Sequence, residues 1–446
     1  MLVSEVNKAL DQASNDGQWM HKLMIELFPI CRGLSGPGNE KTLSILEETI
    51  PLSIVKVPSG TKIFSWTVPD EWHAKSAKIT DSSGKIYANF SDNNLHLVNG
   101  SHPVEKILTK EELLKKIYSL PSQPDLIPYV TSYYHSHWGF CMTDSEKKKL
   151  PDEKYNVKIE TEHIKGNLIY GEKLLPGKNN KEIVISTYIC HPSMANDNLS
   201  GIVVAAALYK TLSSLTDLEY SYRFLFLPET IGSLCWLSKN ESILDNINAG
   251  IVLSCIGDDG DFTYKRSRRN NTLIDRISAS FMGENDTVSD FFPTSGSDER
   301  QYCSPGYNLP FGLLSRTYPG EWPYYHTSGD TPDKILPETL GESLEKVVKI
   351  ILGYELNSMI FERSEPKGEP MLSKYNLYHQ QNLRRNTEID PDKAFRDRMM
   401  WLLNLADGTN NLIDIAEKSS EDIIEIAKIG EQLVKAGLLK LKVVKN

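Results

Sequence analysis

Four segments of the chain carry side chains that bind metal ions or move protons. One is Cys190-His191-Pro192-Ser193-Met194-Ala195-Asn196-Asp197-Asn198-Leu199-Ser200-Gly201, and another is Pro228-Glu229-Thr230-Ile231-Gly232-Ser233. The third is Gly257-Asp258-Asp259-Gly260-Asp261, and the last is Tyr324-Tyr325-His326-Thr327-Ser328-Gly329-Asp330-Thr331-Pro332-Asp333. Imidazole with carboxylate is a borderline-soft donor set that suits Zn²⁺. A carboxylate beside such a metal, but not bound to it, can take the proton of an activated water. Taken singly, each residue has a plainer use. A strand-end histidine is more often hydrogen-bonded structure, a glutamate after proline favours a helix N-terminus, and Asp197 can cap the helix that follows it. What sets the first three segments apart is that each follows a strand of one sheet, where a shared site forms.

The elements that must position them alternate in type. Residues 181–188 (KEIVISTY), 222–227 (YRFLFL) and 249–256 (AGIVLSCI) read as buried strands, and 202–212 and 231–238 as apolar-rich helices. Strands alternating with helices predict an α/β fold, a mostly parallel sheet with helices on both faces. Ligands on such sheets sit at the carboxyl ends of the strands. Ahead of this region, 3–29 has broken helical spacing for two helices, and Asn39 is placed to cap a helix over 40–49. Residues 52–105 are rich in Val, Ile, Thr, Tyr and Trp and cut by short turns, which predicts a small antiparallel β unit. A helix over 109–120 and the aromatic stretch 129–142 follow. At the far end, helices over 400–405, 412–417 and 423–436 and a strand over 438–444 suggest a winged-helix unit. The domain reading is therefore an α/β domain made of 1–50 and 157–365, an inserted β-rich domain 51–156, and a winged-helix domain 386–446.

The composition excludes several classes. The chain has 446 residues, 40% apolar and 24% charged, and a net charge of −10. That size supports a large core without disulfides or structural metal, and the acidic balance disfavours a nucleic-acid or anionic-membrane surface. The six cysteines form no CxxC pair, so a zinc ribbon or redox motif is out. No apolar run approaches the ~20 residues needed to span a bilayer, and the N-terminus lacks a signal pattern. The expectation is a soluble cytoplasmic protein in a reduced compartment. The 386–446 unit holds 9 Lys and Arg against 11 Asp and Glu, which leaves no surplus to neutralise phosphates. A transcription regulator is disfavoured on that ground.

On these segments the chain resembles the zinc aminopeptidases of the M28 type, and more closely a branch with an inserted N-terminal domain of unknown function and a C-terminal winged helix. The resemblance covers about 1–50 and 157–365. It implies that His191 is the first metal histidine, Asp197 the aspartate that bridges two metals, Glu229 the catalytic glutamate and His326 the last metal histidine. Gly296-Ser297-Asp298 and Pro305-Gly306 resemble the region before the family's last strand. Two positions depart from the pattern: Thr230 stands where a ligand glutamate follows the base, and Ser254 where a ligand aspartate is usual. A neutral hydroxyl is a poor zinc ligand beside a carboxylate. The implied cofactor is therefore one zinc ion, with water in the fourth position. Gly232 aligns Glu229 with the base, but counting from the strand leaves Glu229 as a ligand open.

The function implied is zinc-dependent hydrolysis of an amide in a small peptide-like or amino-acid-conjugate substrate. The alternative is a catalytically degenerate relative used for binding or scaffolding. Neither nucleic acid nor membrane is an expected partner, and a homo-oligomer is open. Arg300, two residues after Asp298, is a candidate for an anionic substrate group. The cluster Lys265, Arg266, Arg268 and Arg269 reads as a solvated face or a second such site. Tyr133-Tyr134-His135-Ser136-His137-Trp138 reads first as packing between the β unit and the α/β core, and second as a wall of the cleft. Asp258, Asp259 and Asp261 lack the spacing of a calcium loop and read as a turn.

Overall fold

The protein is described by a computed structural model over residues 3–375, 377 and 393–442. The start of the C-terminal unit (386–392) and the end of its expected strand (Val443, Val444) lie outside these residues. The centre is an eight-stranded sheet. Its middle strands Ser221–Leu227, Glu182–Tyr188, Ile247–Leu253 and Phe311–Ser315 lie side by side and parallel. Nearly every residue of these strands is buried, which is why they read as continuous apolar runs instead of alternating ones. Towards the edges the sheet turns antiparallel, except for the parallel outermost pair Thr263–Lys265 and Thr287–Ser289. Ser53–Pro58 and Asn167–Leu175 extend one side, and Thr263–Lys265 and Thr287–Ser289 the other. The sheet is thus mixed, parallel where the site forms.

Helices cover both faces. Val3–Asn15, Gly17–Leu27, Gly201–Ser213 and Pro337–Leu356 pack into one core with the sheet, and Ile231–Lys239 into the other with Tyr302 and Phe311. The Gly201–Ser213 helix is apolar from Ile202 to Leu208 because all of these residues are buried. Glycine is needed in the sheet at Gly250, where a Cβ would lie 2.3 Å from the Phe311 ring.

A second sheet of four strands, Ile86–Asn89, Glu71–Asp81, Lys154–Ile164 and Val104–Thr109, forms the β-rich insert, with its own core around Trp72, Ile79, Phe140 and Tyr155. Two local expectations differ. The helix expected over 109–120 is only Lys110–Leu114, closed by a Thr109–Glu112 capping box, and the chain then extends as Ile117–Tyr118. Asn39 does not cap the third helix. Gly36 precedes Pro37–Leu46, and Asn39 is buried inside it, its amide bonded to the Gly33 backbone.

At the C-terminal end, helices Lys393–Leu405, Leu412–Ser419 and Ile423–Lys435 are followed by Leu439–Leu441, which pairs antiparallel with Phe361–Arg363. This is a winged-helix unit. Its third helix packs on Pro337–Leu356 and Val3–Asn15, so its core is continuous with that of the α/β domain. Among the described residues no helix is long and apolar enough to cross a membrane.

Candidate metal centre

The parallel strands end on one edge, and four loops rise from it. Each holds one non-glycine residue at positive φ: Ser193 (40°), Thr230 (64°), Cys255 (49°) and His326 (55°). Such conformations cost free energy and gather where a fold must aim side chains.

His191 follows the strand Glu182–Tyr188, and its carbonyl accepts from Arg32 Nε at 2.8 Å. Asp197 follows in a tight turn that its neighbours fasten down. Asn196 Nδ2 donates to Asp258, Asn198 Nδ2 to Thr187, and the Cys255 and Ile256 amides donate to Asn198 Oδ1 and Ser200 Oγ. The buried Asp330 carboxylate accepts the amides of Asn196 and Asp197 at 2.6 and 3.0 Å. The motif Asn196-Asp197-Asn198-Leu199-Ser200 thus spends its flanking polar groups on holding the aspartate. Asp197 does not cap the following helix, whose N-terminus at Ser200 has no side-chain cap. Asp258 accepts from Gly260 and Thr317, the turn expected for the Asp258–Asp261 trio.

The side chains of His191, Asp197 and His326 converge, with one ligand atom from each within 4.8 Å of the others. Asp197 Oδ2 is 2.9 Å from His326 Nε2 and 4.0 Å from His191 Nε2. Yet neither Asp197 Oδ2 nor His326 Nε2 has an aligned hydrogen-bond partner among the described residues. Buried polar atoms without partners are costly, and here they point at a common spot. That is the arrangement a bound cation satisfies, so the donor set fits a single divalent metal site. Asp197 Oδ1 is engaged instead by the Tyr188 hydroxyl, which also meets Ser254 Oγ at 2.9 Å. Burial pushes the Asp197 carboxyl up, but the two histidines and Tyr188 outweigh it and hold it well below the usual range. Burial lowers His191 to about 4, so its ring is neutral and able to ligate at neutral pH.

Glu229 stays outside this trio. It follows the strand Ser221–Leu227 and accepts from Ser297 Oγ at 2.8 Å. Burial first, then the Asp298 carboxylate, push its acid up. Asp298 in turn holds the turn, accepting from the Thr230 amide at 2.7 Å and from Ser233 at 2.9 Å. Ser297 is fixed from behind, since Glu299 accepts its amide and pairs with the fully buried Lys265. Lys265 is therefore no part of a solvated basic face. Arg300 Nε donates to the Ser297 carbonyl at 3.2 Å, which leaves its guanidinium beside the Glu229 side of the site.

A cavity of about 340 Å³, counting its open mouth, lies against His191, Glu229 and Thr230. Its other walls are Leu34, Cys190 and four residues of the insert: Asn99, Tyr129, Thr131 and Tyr133. Tyr129 packs 5.4 Å from the His191 ring and 5.2 Å from the His326 ring, and its amide donates to the His326 carbonyl. The aromatic stretch is thus a wall of the cleft, not only packing between domains. The segment around His135 and His137 is irregular, and His137 Nε2 pairs with the Tyr118 hydroxyl. Sequence reasoning missed Tyr129, Tyr188 and Asp330. Tyr188 ends the KEIVISTY strand and Asp330 sits four residues after His326, but neither residue type announces a role by spacing.

Comparison with known proteins agrees with this fold. A family model described as Domain of unknown function (DUF4910) matches residues 21–357, and one for a winged helix-turn-helix matches 359–441. A Clostridium acetobutylicum protein named "Putative polysaccharide biosynthesis protein with aminopeptidase-like domain" is 42% identical over 443 residues, 98% of this chain and 100% of its own. A crystal structure of a "putative peptidase" from Clostridium acetobutylicum superposes with a TM-score of 0.91 at 41% identity, covering 99% of this chain and 100% of that one. A zinc aminopeptidase from Bacillus subtilis shares the fold at 13% identity, with a TM-score of 0.55 over 77% of this chain and 94% of that one.

Proposed function

The chain belongs to the DUF4910 family, and from that premise we propose that its cleft is a one-metal site for a small amide-bearing ligand, on an aminopeptidase-like body reduced from the two-metal hydrolytic arrangement. The observation that carries this reading is the split use of Asp197. One oxygen faces His191 and His326, and the other is taken by Tyr188 and through it by Ser254. His191, Asp197 and His326 would hold one zinc. When bound, it would polarise a carbonyl oxygen of the ligand as a Lewis acid. Thr230 and Ser254 offer hydroxyls where further carboxylates would be needed for a second ion. The insert closes the cleft from above, and Tyr129 holds both histidine rings in place. Arg300 would meet an anionic group on the ligand.

A second reading keeps hydrolysis of a peptide or amino-acid amide. It is favoured by the position of Glu229, which lines the same cavity as His191 without joining the trio. Held by Ser297, its carboxylate would serve as general base for an attacking water and return the proton to the leaving amine.

One experiment separates the two. Metal content and turnover of a panel of amino-acid amides and dipeptides are measured for the wild type, Glu229→Gln and His326→Ala. The one-metal site requires about one equivalent in the wild type and in Glu229→Gln, and loss in His326→Ala. Turnover that Glu229→Gln abolishes supports the hydrolase. A wild type that holds its metal and turns nothing over supports the binding protein. Two equivalents in the wild type would sink the one-metal reading itself.

A further inference from the structure

His326 lies in a long connection. Between the strand Phe311–Ser315 and the helix Pro337–Leu356 the chain has only the short turn Pro332–Lys334. An irregular segment of this length has no hydrogen-bond ladder of its own and takes its shape from what it packs against. His326 itself sits at φ 55°, a conformation that the surroundings must impose on a residue with a side chain.

The surroundings act from two sides. On the α/β side, the Asp330 carbonyl accepts the Ala195 amide at 3.1 Å, beside the Asn196 and Asp197 amides on its carboxylate. On the other side lies the insert. Ile127 and Ser328 form a reciprocal pair: the Ile127 amide donates to Ser328 Oγ at 2.9 Å, and the Ser328 amide donates to the Ile127 carbonyl at 2.8 Å. Pro128 faces Thr327 in an antiparallel bridge. The Tyr129 amide donates to the His326 carbonyl at 2.8 Å, and Gln123 Nε2 donates to the Pro323 carbonyl. The His326 ring is then set between Tyr325, stacked at 3.9 Å, and Tyr129, edge-on at 5.2 Å. Residues 127–129 thus run as a short strand against 326–328, in register with the metal histidine. The segment is tied back into the insert, since the Asn99 amide donates to the Val130 carbonyl and the Ser132 amide to the Asn99 carbonyl, each at 2.9 Å.

We propose that the insert is a clasp on the last metal ligand. Ile127, Tyr129 and Ser328 are positioning residues that hold His326 at the metal, and the bound metal in turn locks the insert over the cleft. The proposal rests on the one-metal reading above and adds its regulation: seating of the insert and binding of the metal form one coupled equilibrium. Such coupling is reciprocal, so whatever seating the insert adds to metal affinity, the metal adds to seating the insert.

The test measures both directions on the full chain. Zinc affinity is read by chelator competition for the wild type, Ser328→Ala and Ser328→Thr, with the visible absorption of Co²⁺-loaded protein as a signature of ligand geometry. Ser328→Ala leaves the Ile127 amide without its acceptor and should weaken zinc by about 3- to 10-fold, with a changed Co²⁺ spectrum. Ser328→Thr keeps the hydroxyl and should stay within about twofold of the wild type, with the wild-type spectrum. Hydrogen exchange read by mass spectrometry gives the reverse direction. Zinc should slow exchange in peptides covering 123–131 by about fivefold or more, while the insert strand Lys154–Ile164 exchanges as before. Zinc-bound wild type whose 123–131 segment exchanges as in the metal-free protein overturns the proposal, as does a Ser328→Ala variant with wild-type zinc affinity. Both of these leave the one-metal reading standing. A wild type that takes up no zinc overturns that reading and the clasp together.

Discussion

The hydroxyl of Tyr188 donates to Asp197 Oδ1, which leaves Oδ2 as the oxygen that faces His191 and His326. Tyr188 ends the central strand and is fully enclosed, and its second contact is Ser254. A phenol and a serine hydroxyl thus occupy the side of Asp197 turned away from the two histidines.

Purified without chelator, the protein is expected to carry about one equivalent of zinc. The triple variant Tyr188→Phe, Thr230→Glu, Ser254→Asp frees Oδ1 and supplies two carboxylates, and should take up a second equivalent in a metal titration. An unchanged stoichiometry in that variant would show that something other than these three residues limits the site.

The scaffold of this site was legible in the sequence because buried parallel strands write themselves as uninterrupted apolar runs. The strands over 182–188, 221–227 and 247–253 and the chemistry just after them needed nothing else. His191 and Asp197 were legible through their place after a strand and the family resemblance, and His326 through that resemblance alone. Tyr129 was not, because it reaches the cavity from the insert through an irregular segment, and no periodicity records such a contact; Tyr133 was read as a cleft wall only in second place. Lys265 was misread because a basic run looks solvated until a buried partner, Glu299, is known from 34 residues away. The Tyr188 contact was invisible for a related reason: a tyrosine closing an apolar strand looks like core.

Asp330 should matter to metal affinity without touching the metal. Burial pushes its acid up to about 8, and its two oxygens accept the amides that lead into and through Asp197. Asp330→Asn replaces one acceptor by an NH₂ group facing an N–H. The turn must shift, and zinc affinity measured by chelator competition should fall by about 10- to 100-fold, the usual effect of disturbing what orients a ligand. An affinity within twofold of the wild type would contradict this role.

Glu229 should make metal-free protein less stable as pH rises. Its folded-state acid is raised by burial and by Asp298, so between the ordinary glutamate value of about 4.3 and the raised one, the folded state holds a proton that the unfolded state has lost. Stability from this group then declines with increasing pH across that window. Glu229→Gln keeps the acceptor for Ser297 and removes the titration. In urea unfolding of chelator-treated protein, the variant should gain on the wild type progressively between pH 5 and pH 8. A difference that stays flat with pH would mean that Glu229 is ionised throughout.

The winged-helix unit should bind no duplex DNA. In such units the third helix is the one that enters the major groove, and here Ile423, Ile424, Ile426, Ala427, Ile429, Gly430 and Leu433 are all buried. At 100° per residue these positions cover an arc of about 220°, and the helix packs on Pro337–Leu356 and Val3–Asn15. The remaining face holds Glu425, Lys428, Gln432 and Lys435, and Lys428 is paired with Glu425 at 2.7 Å, so it offers phosphates little free positive charge. Arg276 fixes the unit to the α/β domain, with its guanidinium on Glu417 at 2.6 and 2.8 Å and on Asp414 at 2.7 Å. Arg276→Ala should therefore speed proteolysis between the two units while costing about 1 kcal/mol or less, since these groups are partly exposed. Fluorescence anisotropy of a labelled 20-base-pair duplex with the full chain should show no binding below about 10 μM and no dependence on salt, in the wild type and in Arg276→Ala alike. Sub-micromolar binding that weakens steeply between 50 and 200 mM salt would mean that the helix leaves its seat, and that the unit reads DNA after all.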